Sequence, residues 1–263
     1  MTRSTPSLAA RLAGGDTVYG VIVKMPSPAV VELVGHCGFD LVVIDTEHGA
    51  ADNSELEHHL RAADSVGVPT LVRVGTNDPL LILRALDAGA TGVIVPHVSH
   101  VADALAAARA AHYPPTGSRG FAVSTRAGHH GTAALSQHLT DAAARTVVVA
   151  QVEDKDAVAH STQIAATPGV NAVWIGPSDL SLSLGLPGQL NHPTVAAAVD
   201  RIAADVIASP DCVLCVLVDS VEQAAVWVDR GARIVLFNST AVLANKLREI
   251  TALIGSGVHA TTA

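Results

Sequence analysis

Five short segments carry side chains able to bind oxyanions, hold a divalent cation and move a proton. IDTEHG contains Asp45, Glu47 and His48, LVRV contains Arg73, QVED contains Gln151 and Glu153, GPSDLS contains Gly176, Pro177, Ser178 and Asp179, and VLVDS contains Asp219. Gln151 and Glu153 are two apart, so on a strand they share a face. Glu153 and Asp179 form a pair of carboxylates with no accompanying Cys or His cluster. That donor chemistry suits a hard divalent ion, Mg²⁺ or Mn²⁺, completed by water; the alternative is two solvated carboxylates. His48 is the candidate general base, since imidazole chemistry suits proton transfer, with Asp45 and Glu47 beside it to orient it or a metal-bound water; the alternative is a structural imidazole. The Arg73 guanidinium suits a carboxylate or an enolate oxygen, or a structural salt bridge to Asp45 or Glu47. In GPSDLS a Gly-Pro turn opens a short helix at Ser178–Asp179. Free amides at a helix start bind anions, and Gly176 allows close backbone approach; a capped turn is the plainer reading.

These segments matter only if the chain brings them together. Eight Val/Ile-rich runs, at Val18–Val23, Leu41–Asp45, Thr70–Val74, Gly92–Pro96, Val147–Val152, Ala172–Ile175, Val213–Val218 and Arg233–Phe237, are near-continuously apolar, as parallel strands buried on both faces are. Ala-rich stretches at Ala29–Cys37, Asn53–Ser65, Pro79–Ala88, Val101–Ala111, Asp156–Ala166, Pro193–Ala208, Val221–Arg230 and Thr240–Leu253 read as helices. Eight β-then-α units predict a (β/α)8 TIM barrel. A doubly wound open sheet is the rival, but no G-x-G-x-x-G follows the first strand. The chemical residues then fall at strand C-terminal ends, where such barrels place their active sites. One connection, from Ala111 to Thr146, exceeds an ordinary loop and carries a Pro-Pro pair, four glycines and a short helix near Ala133–Ala143. No linker interrupts the pattern, so one domain over residues 1–263 is expected.

The 263 residues are 49% hydrophobic and 15% charged, with 16 Lys plus Arg and a net charge of −8. That composition excludes disorder and disfavours a nucleic-acid surface. The N-terminus lacks a signal-peptide core, and no apolar run reaches the ~18 residues of a membrane span. Three cysteines cannot form a disulfide framework, and Cys37, Cys212 and Cys215 read as reduced thiols of a cytoplasmic protein. Cys212-x-x-Cys215 lies on a strand rather than before a helix, against a redox dithiol. The His58–His59 and His129–His130 pairs lack metal-ligand spacing and read as surface residues.

GFDLVVIDTEHG, LVRV, ALDAGATGVIVPHV, YPPTGSRG, VVVAQVED and NAVWIGPSDLSLSLGLPG occur in an order and spacing that resembles the 4-hydroxy-2-oxoheptanedioate aldolase family, the HpcH/HpaI aldolase and citrate lyase group. The likeness runs from about Gly20 to Ala241. It implies a (β/α)8 barrel and class II, metal-dependent pyruvate aldol chemistry, cleaving a 4-hydroxy-2-oxo acid to pyruvate and an aldehyde or the reverse. It implies that Glu153 and Asp179 bind the metal (Mg²⁺, Mn²⁺ or Co²⁺) and that Gln151 lines the pyruvate site. It gives Arg73 the carbonyl oxygen and the amides around Gly176, Pro177 and Ser178 the carboxylate. It assigns acid–base catalysis to His48, with Asp45 near it and Asp87 as an orienting partner. It also implies a homohexamer in which barrels exchange their last helix. Ile22, Lys24–Met25–Pro26 and His97 depart from the pattern on the side of the aldehyde. The alternatives are an acyl-CoA lyase of the same superfamily, for which no basic cluster is evident; a Schiff-base aldolase using Lys24; and a non-catalytic metabolite-binding barrel.

Overall fold

The computed structural model describes residues 6–50 and 52–255. Eight parallel strands close in sequence order into a barrel, each pairing with the next and the eighth with the first. They are β1 (Val18–Val23), β2 (Leu41–Asp45), β3 (Thr70–Arg73), β4 (Gly92–Val95), β5 (Val147–Val152), β6 (Ala172–Ile175), β7 (Val213–Val218) and β8 (Ala232–Asn238). The helices are α1 (Leu8–Ala13), α2 (Pro28–His36), α3 (Asn53–Val66), α4 (Pro79–Asp87), α5 (Val101–Ala111), α6 (Leu135–Arg145), α7 (Ser161–Ala165), α8 (Pro177–Ser183), α9 (Pro193–Ile207), α10 (Val221–Asp229) and α11 (Ser239–Gly255). The barrel expectation holds, and strand ends differ from the expected ones by at most a residue.

Strand alternation divides the apolar side chains into two cores. Val21, Val42, Val72, Val93, Val148 and Val173 face outward against the helices. Ile22, Leu41, Val43, Leu71, Ile94, Val149, Trp174 and Leu236 fill the barrel. Leu8 and Leu12 of α1 join that inner cluster, so this short helix, not expected from sequence, closes the barrel's N-terminal end. The same alternation fixes the site. Asp45 pairs in register with Arg73, and Gln151 with Trp174, so these polar side chains share the inward face with the apolar filling at the C-terminal ends of their strands.

Local signals set the helix ends. Asp52 caps α3, accepting from the amides of Ser54 and Glu55, while Glu55 accepts from the Asp52 amide, a reciprocal capping box. Pro occupies the first turn of α2, α4, α8 and α9, where its missing N–H costs nothing. The expected helix Asp156–Ala166 is divided: Lys155–Ala159 is a 3₁₀ turn, His160 leaves helical geometry, and α7 follows. The helix expected near Ala133–Ala143 is α6, shifted two residues along. His59, expected at the surface, is buried; its ring bridges the carbonyls of Glu55 at 2.5 Å and Met25 at 3.4 Å. His129 and His130 are exposed. No helix among the described residues is long and apolar enough to cross a membrane.

Candidate active site

The C-terminal mouth of the barrel holds a nearly continuous ionic cluster. Arg73, at the end of β3, is buried. It donates from Nε to Asp45 Oδ1 at 3.0 Å and from Nη2 to Asp45 Oδ2, a planar two-point pairing. Nη1 lies 3.1 Å from Glu47 Oε2 and donates to Gln151 Oε1 at 3.5 Å. Its guanidinium carbon stands 5.1 Å from the centre of the Trp174 ring, a cation–π arrangement. Gln151 donates in turn to Glu153 Oε2. Asp45, Arg73, Gln151 and Glu153 are thus one chain of contacts across β2, β3 and β5.

Asp45 also orders the β2–α3 turn. Its Oδ1 accepts from the amides of Glu47 at 3.1 Å and His48 at 3.2 Å. Burial alone would raise the Asp45 carboxyl, but Arg73 and these two amides outweigh it and hold it below the usual carboxylate range. Gly49 completes the turn: a Cβ there would lie 2.0 Å from the Asp45 carbonyl oxygen, so only glycine lets the chain fold back over the strand end. Asp45 therefore holds the amide of His48 rather than its ring. The His48 ring is half exposed and stands 3.8 Å from Glu47 Oε2.

Glu153 is buried. Burial, assisted by the charges of Asp179 and Glu47, pushes its carboxyl up to about 7, against the pull of the His97 amide and imidazole. A buried carboxyl pushed up by burial and by neighbouring negative charge is relieved by a cation. The Glu47 side chain is nine-tenths buried, and its Oε2 has no hydrogen-bond partner. Donor atoms from Glu47, His97 and Glu153 lie within 4.8 Å of one another. The residues present therefore fit a divalent ion: Glu153 lies at the centre, Asp179 is within electrostatic reach in the first turn of α8, and Glu47 and His97 close the other side.

Gly176 is forced by this crowding. A Cβ on it would lie 2.5 Å from Glu153 Oε2 and 2.8 Å from Glu153 Cβ. Its amide, expected to be available to a carboxylate, is instead spent on the Val152 carbonyl at 3.0 Å, and Pro177 has no N–H. The amides of Ser178 and Asp179, which no helical carbonyl can reach in the first turn, are the ones left.

Two expected residues are engaged outside the ionic cluster. Asp87 ends α4, which starts beyond the C-terminal end of β3 and runs back to the opposite end of the barrel. Its carboxylate accepts from Arg119 Nη2 at 2.7 Å, so within this chain it does not reach the His48 ring. Asp219 is exposed, and its amide donates to Gln223 Oε1. Two residues take a larger part than the motifs imply. Glu47, expected to orient His48 or a metal-bound water, and His97, expected on the aldehyde side, both border Glu153. His97 follows β4 in VIVPHV, and the strand-end rule applied to β4 would have found it. Lys24 also reaches the mouth, with Nζ 3.8 Å from Asp45 Oδ2.

A sequence profile of the group described as HpcH/HpaI aldolase/citrate lyase matches residues 19–243. The chain belongs to that family. It is 40% identical over 190 residues to the hydroxypyruvate/pyruvate aldolase of Sagittula stellata, covering 72% of this chain and 74% of that one. It is 39% identical over 181 residues to the 2-dehydro-3,6-dideoxy-6-sulfogluconate aldolase of Pseudomonas putida, covering 68% and 70%. The crystal structure of an HpcH/HpaI family protein from Burkholderia cenocepacia superposes with a TM-score of 0.88 at 32% identity, over 95% of this chain and 99% of that one. As a member of the HpcH/HpaI family the protein is a carbon–carbon lyase of the aldolase type, and the mouth of the barrel is where the ionic cluster can perform that chemistry.

Proposed function

We propose that the protein cleaves 4-hydroxy-2-oxo acids to pyruvate and an aldehyde, and runs the addition in reverse, with Glu153 and Asp179 holding a divalent cation. The observation that carries this reading is Arg73, a buried guanidinium fixed by Asp45 and directed across the mouth toward Glu47 and Gln151. A divalent ion bound beside it supplies Lewis-acid polarisation of a ketone oxygen.

The chain's own residues account for the rest. Arg73 Nη1 donates to the C2 oxygen of the oxo acid, and Asp45 keeps it oriented without reorganisation as negative charge grows there. Gln151 borders the same oxygen. The amides of Ser178 and Asp179, beside the glycine that admits Glu153, face the substrate carboxylate. A base takes the C4 hydroxyl proton; His48, or a water it orients, serves. The C3–C4 bond then breaks, the aldehyde leaves, and the electron pair becomes the pyruvate enolate, which is protonated at C3. Asp87 takes part only if it reaches the site from another subunit.

Such assembly is part of the proposal. Helix α11 has no buried residue, and Val242, Leu243, Leu247, Ile250 and Ile254 are exposed along it. An apolar helix left uncovered in one chain supports exchange between neighbouring barrels and a homo-oligomer, hexameric by family resemblance.

The test is coupled detection of pyruvate from a 4-hydroxy-2-oxo acid. Chelation should abolish cleavage, and Mg²⁺, Mn²⁺ or Co²⁺ should restore it. Borohydride with pyruvate should leave the protein unmodified; covalent trapping at Lys24 would replace this mechanism with a Schiff base.

A further inference from the structure

We propose that His97 supplies an imidazole nitrogen to the divalent cation, making the centre a mixed nitrogen–oxygen site that prefers Mn²⁺, Co²⁺ or Zn²⁺ to Mg²⁺. The inference rests on the metal-dependent reading above and deepens it.

The backbone is the first observation. His97 has φ +54°, a left-handed conformation that few residues other than glycine adopt. Neighbours on β5 hold it there. Its own amide donates to Glu153 Oε1 at 3.0 Å, and the amide of Val98 donates to the Gln151 carbonyl at 3.0 Å. Strain of this kind persists where surrounding structure enforces it, and it clusters at functional sites. Here it turns the imidazole over the carboxylates instead of outward from the barrel.

The ring's surroundings are the second. Nδ1 lies 3.3 Å from Asp154 Oδ2 and 3.5 Å from Glu153 Oε1, and the Asp154 carboxylate is itself held by Ser99 Oγ at 2.9 Å. A carboxylate on one ring nitrogen fixes the tautomer and leaves the other lone pair free, the usual support of a metal-binding histidine. The free nitrogen, Nε2, stands 3.9 Å from Glu47 Oε1. Two donors about 2.1 Å from one ion lie roughly 3–4 Å apart, so a single cation can span them. The third observation is the donor cluster. Glu47 is nine-tenths buried, its Oε2 pairs with Arg73 Nη1 at 3.1 Å while Oε1 is turned toward His97, and donor atoms of Glu47, His97 and Glu153 lie within 4.8 Å of one another. Imidazole favours transition ions, whereas an all-oxygen set suits Mg²⁺.

The full-length protein loaded with Mn²⁺ tests this by pulsed EPR, with calorimetric titrations of Mn²⁺, Co²⁺ and Mg²⁺ alongside. His97→Gly and His97→Asn both tolerate a left-handed backbone. The wild type should show histidine ¹⁴N coupling to Mn²⁺. Both variants should still bind Mn²⁺ but lose the coupling, and their affinity for Co²⁺ should fall ~10–100-fold, with a smaller change for Mg²⁺. Asp154→Asn should weaken Co²⁺ binding while keeping the coupling. Mn²⁺ bound by the wild type without nitrogen coupling, or coupling that survives in both variants, overturns the role of His97 and leaves the aldolase reading untouched. Failure of the wild type to bind any of the three ions overturns both.

Discussion

Arg73 and Asp45 meet through two parallel contacts inside the barrel, one of them 3.0 Å from Nε to Oδ1. Lys24 lies near the same carboxylate, but Asp45 also accepts two backbone amides, so it is the hinge on which the guanidinium and the β2–α3 turn both depend. The buried charge is tolerated because each member satisfies the others.

Asp45→Asn should therefore damage both stability and activity. Removing one partner of a buried ion pair strands the other, at a cost of ~3–5 kcal/mol. Urea unfolding should show that loss. The activity that remains in folded protein should fall as well, because Arg73 is no longer aimed. An unchanged denaturation midpoint would mean that Glu47 and Gln151 suffice to hold Arg73.

Gly176→Ala tests the crowding around Glu153. The added Cβ would sit 2.8 Å from Glu153 Cβ, and that atom, unlike a carboxylate tip, cannot swing away. Overpacking of this kind costs ~1–3 kcal/mol. Thermal unfolding should register a loss in this range, and metal affinity should fall with it, since Glu153 must shift. Retained affinity with wild-type stability would show that the strand end is looser than its geometry implies.

The pH dependence of the metal-free protein follows from Glu153. Its carboxyl is raised to about 7 from the ordinary 4.5 of a glutamate. Between these values the unfolded chain has released the proton and the folded protein keeps it. The stability linked to this group is thus full below pH 4.5 and is lost as pH rises through 7. Metal-free wild type should lose stability over that window relative to Glu153→Gln, as read by chemical denaturation at several pH values. Saturating metal should remove the difference in slope. A flat profile in metal-free wild type would contradict the buried, mutually repelling cluster.

Much of this was legible in sequence for a plain reason. Parallel strands covered on both faces are apolar throughout, so Asp45, Arg73, Gln151 and Glu153 stand out at their ends, and period-two alternation aims them inward. Glu47 and His97 were harder. Their side chains depend on turn conformations, the Gly49 fold-back and the +54° φ of His97, which no periodicity encodes. The Gly176 amide was misjudged because its hydrogen bond belongs to the β5–β6 ladder, and the partner of Asp87 because Arg119 arrives from the long connection. α1 escaped notice because six residues give too little pattern.

Deleting residues 240–263 tests assembly. Light scattering of the full chain should give a mass well above 26.8 kDa, and the truncated chain should give a smaller one. A monomeric full-length protein would leave the apolar face of α11 without the proposed occupant.

The roles of Arg73 and His48 separate by which half of the reaction each serves. Arg73 acts on the enolate, a charge present in every reaction of pyruvate at this site. Losing one such donor costs ~10²–10³ in rate. Arg73→Ala should therefore lose aldol cleavage and also the exchange of pyruvate methyl protons with D₂O, followed by NMR. Arg73→Lys keeps the charge without the planar fork that Asp45 grips from two sides, so it should rescue only in part. His48→Ala should slow cleavage by ~10²–10⁴ if His48 is the base. That defect should shrink at high pH, where hydroxide substitutes, while the Arg73→Ala defect should not. Metal affinity should survive in His48→Ala, because its ring approaches Glu47 at 3.8 Å and the proposed ligands are Glu153, Asp179 and His97. If His48→Ala cleaves at the wild-type rate, or loses the metal, proton transfer passes to another group at the mouth, and Glu47, already turned toward both Arg73 and His97, is the next to be replaced.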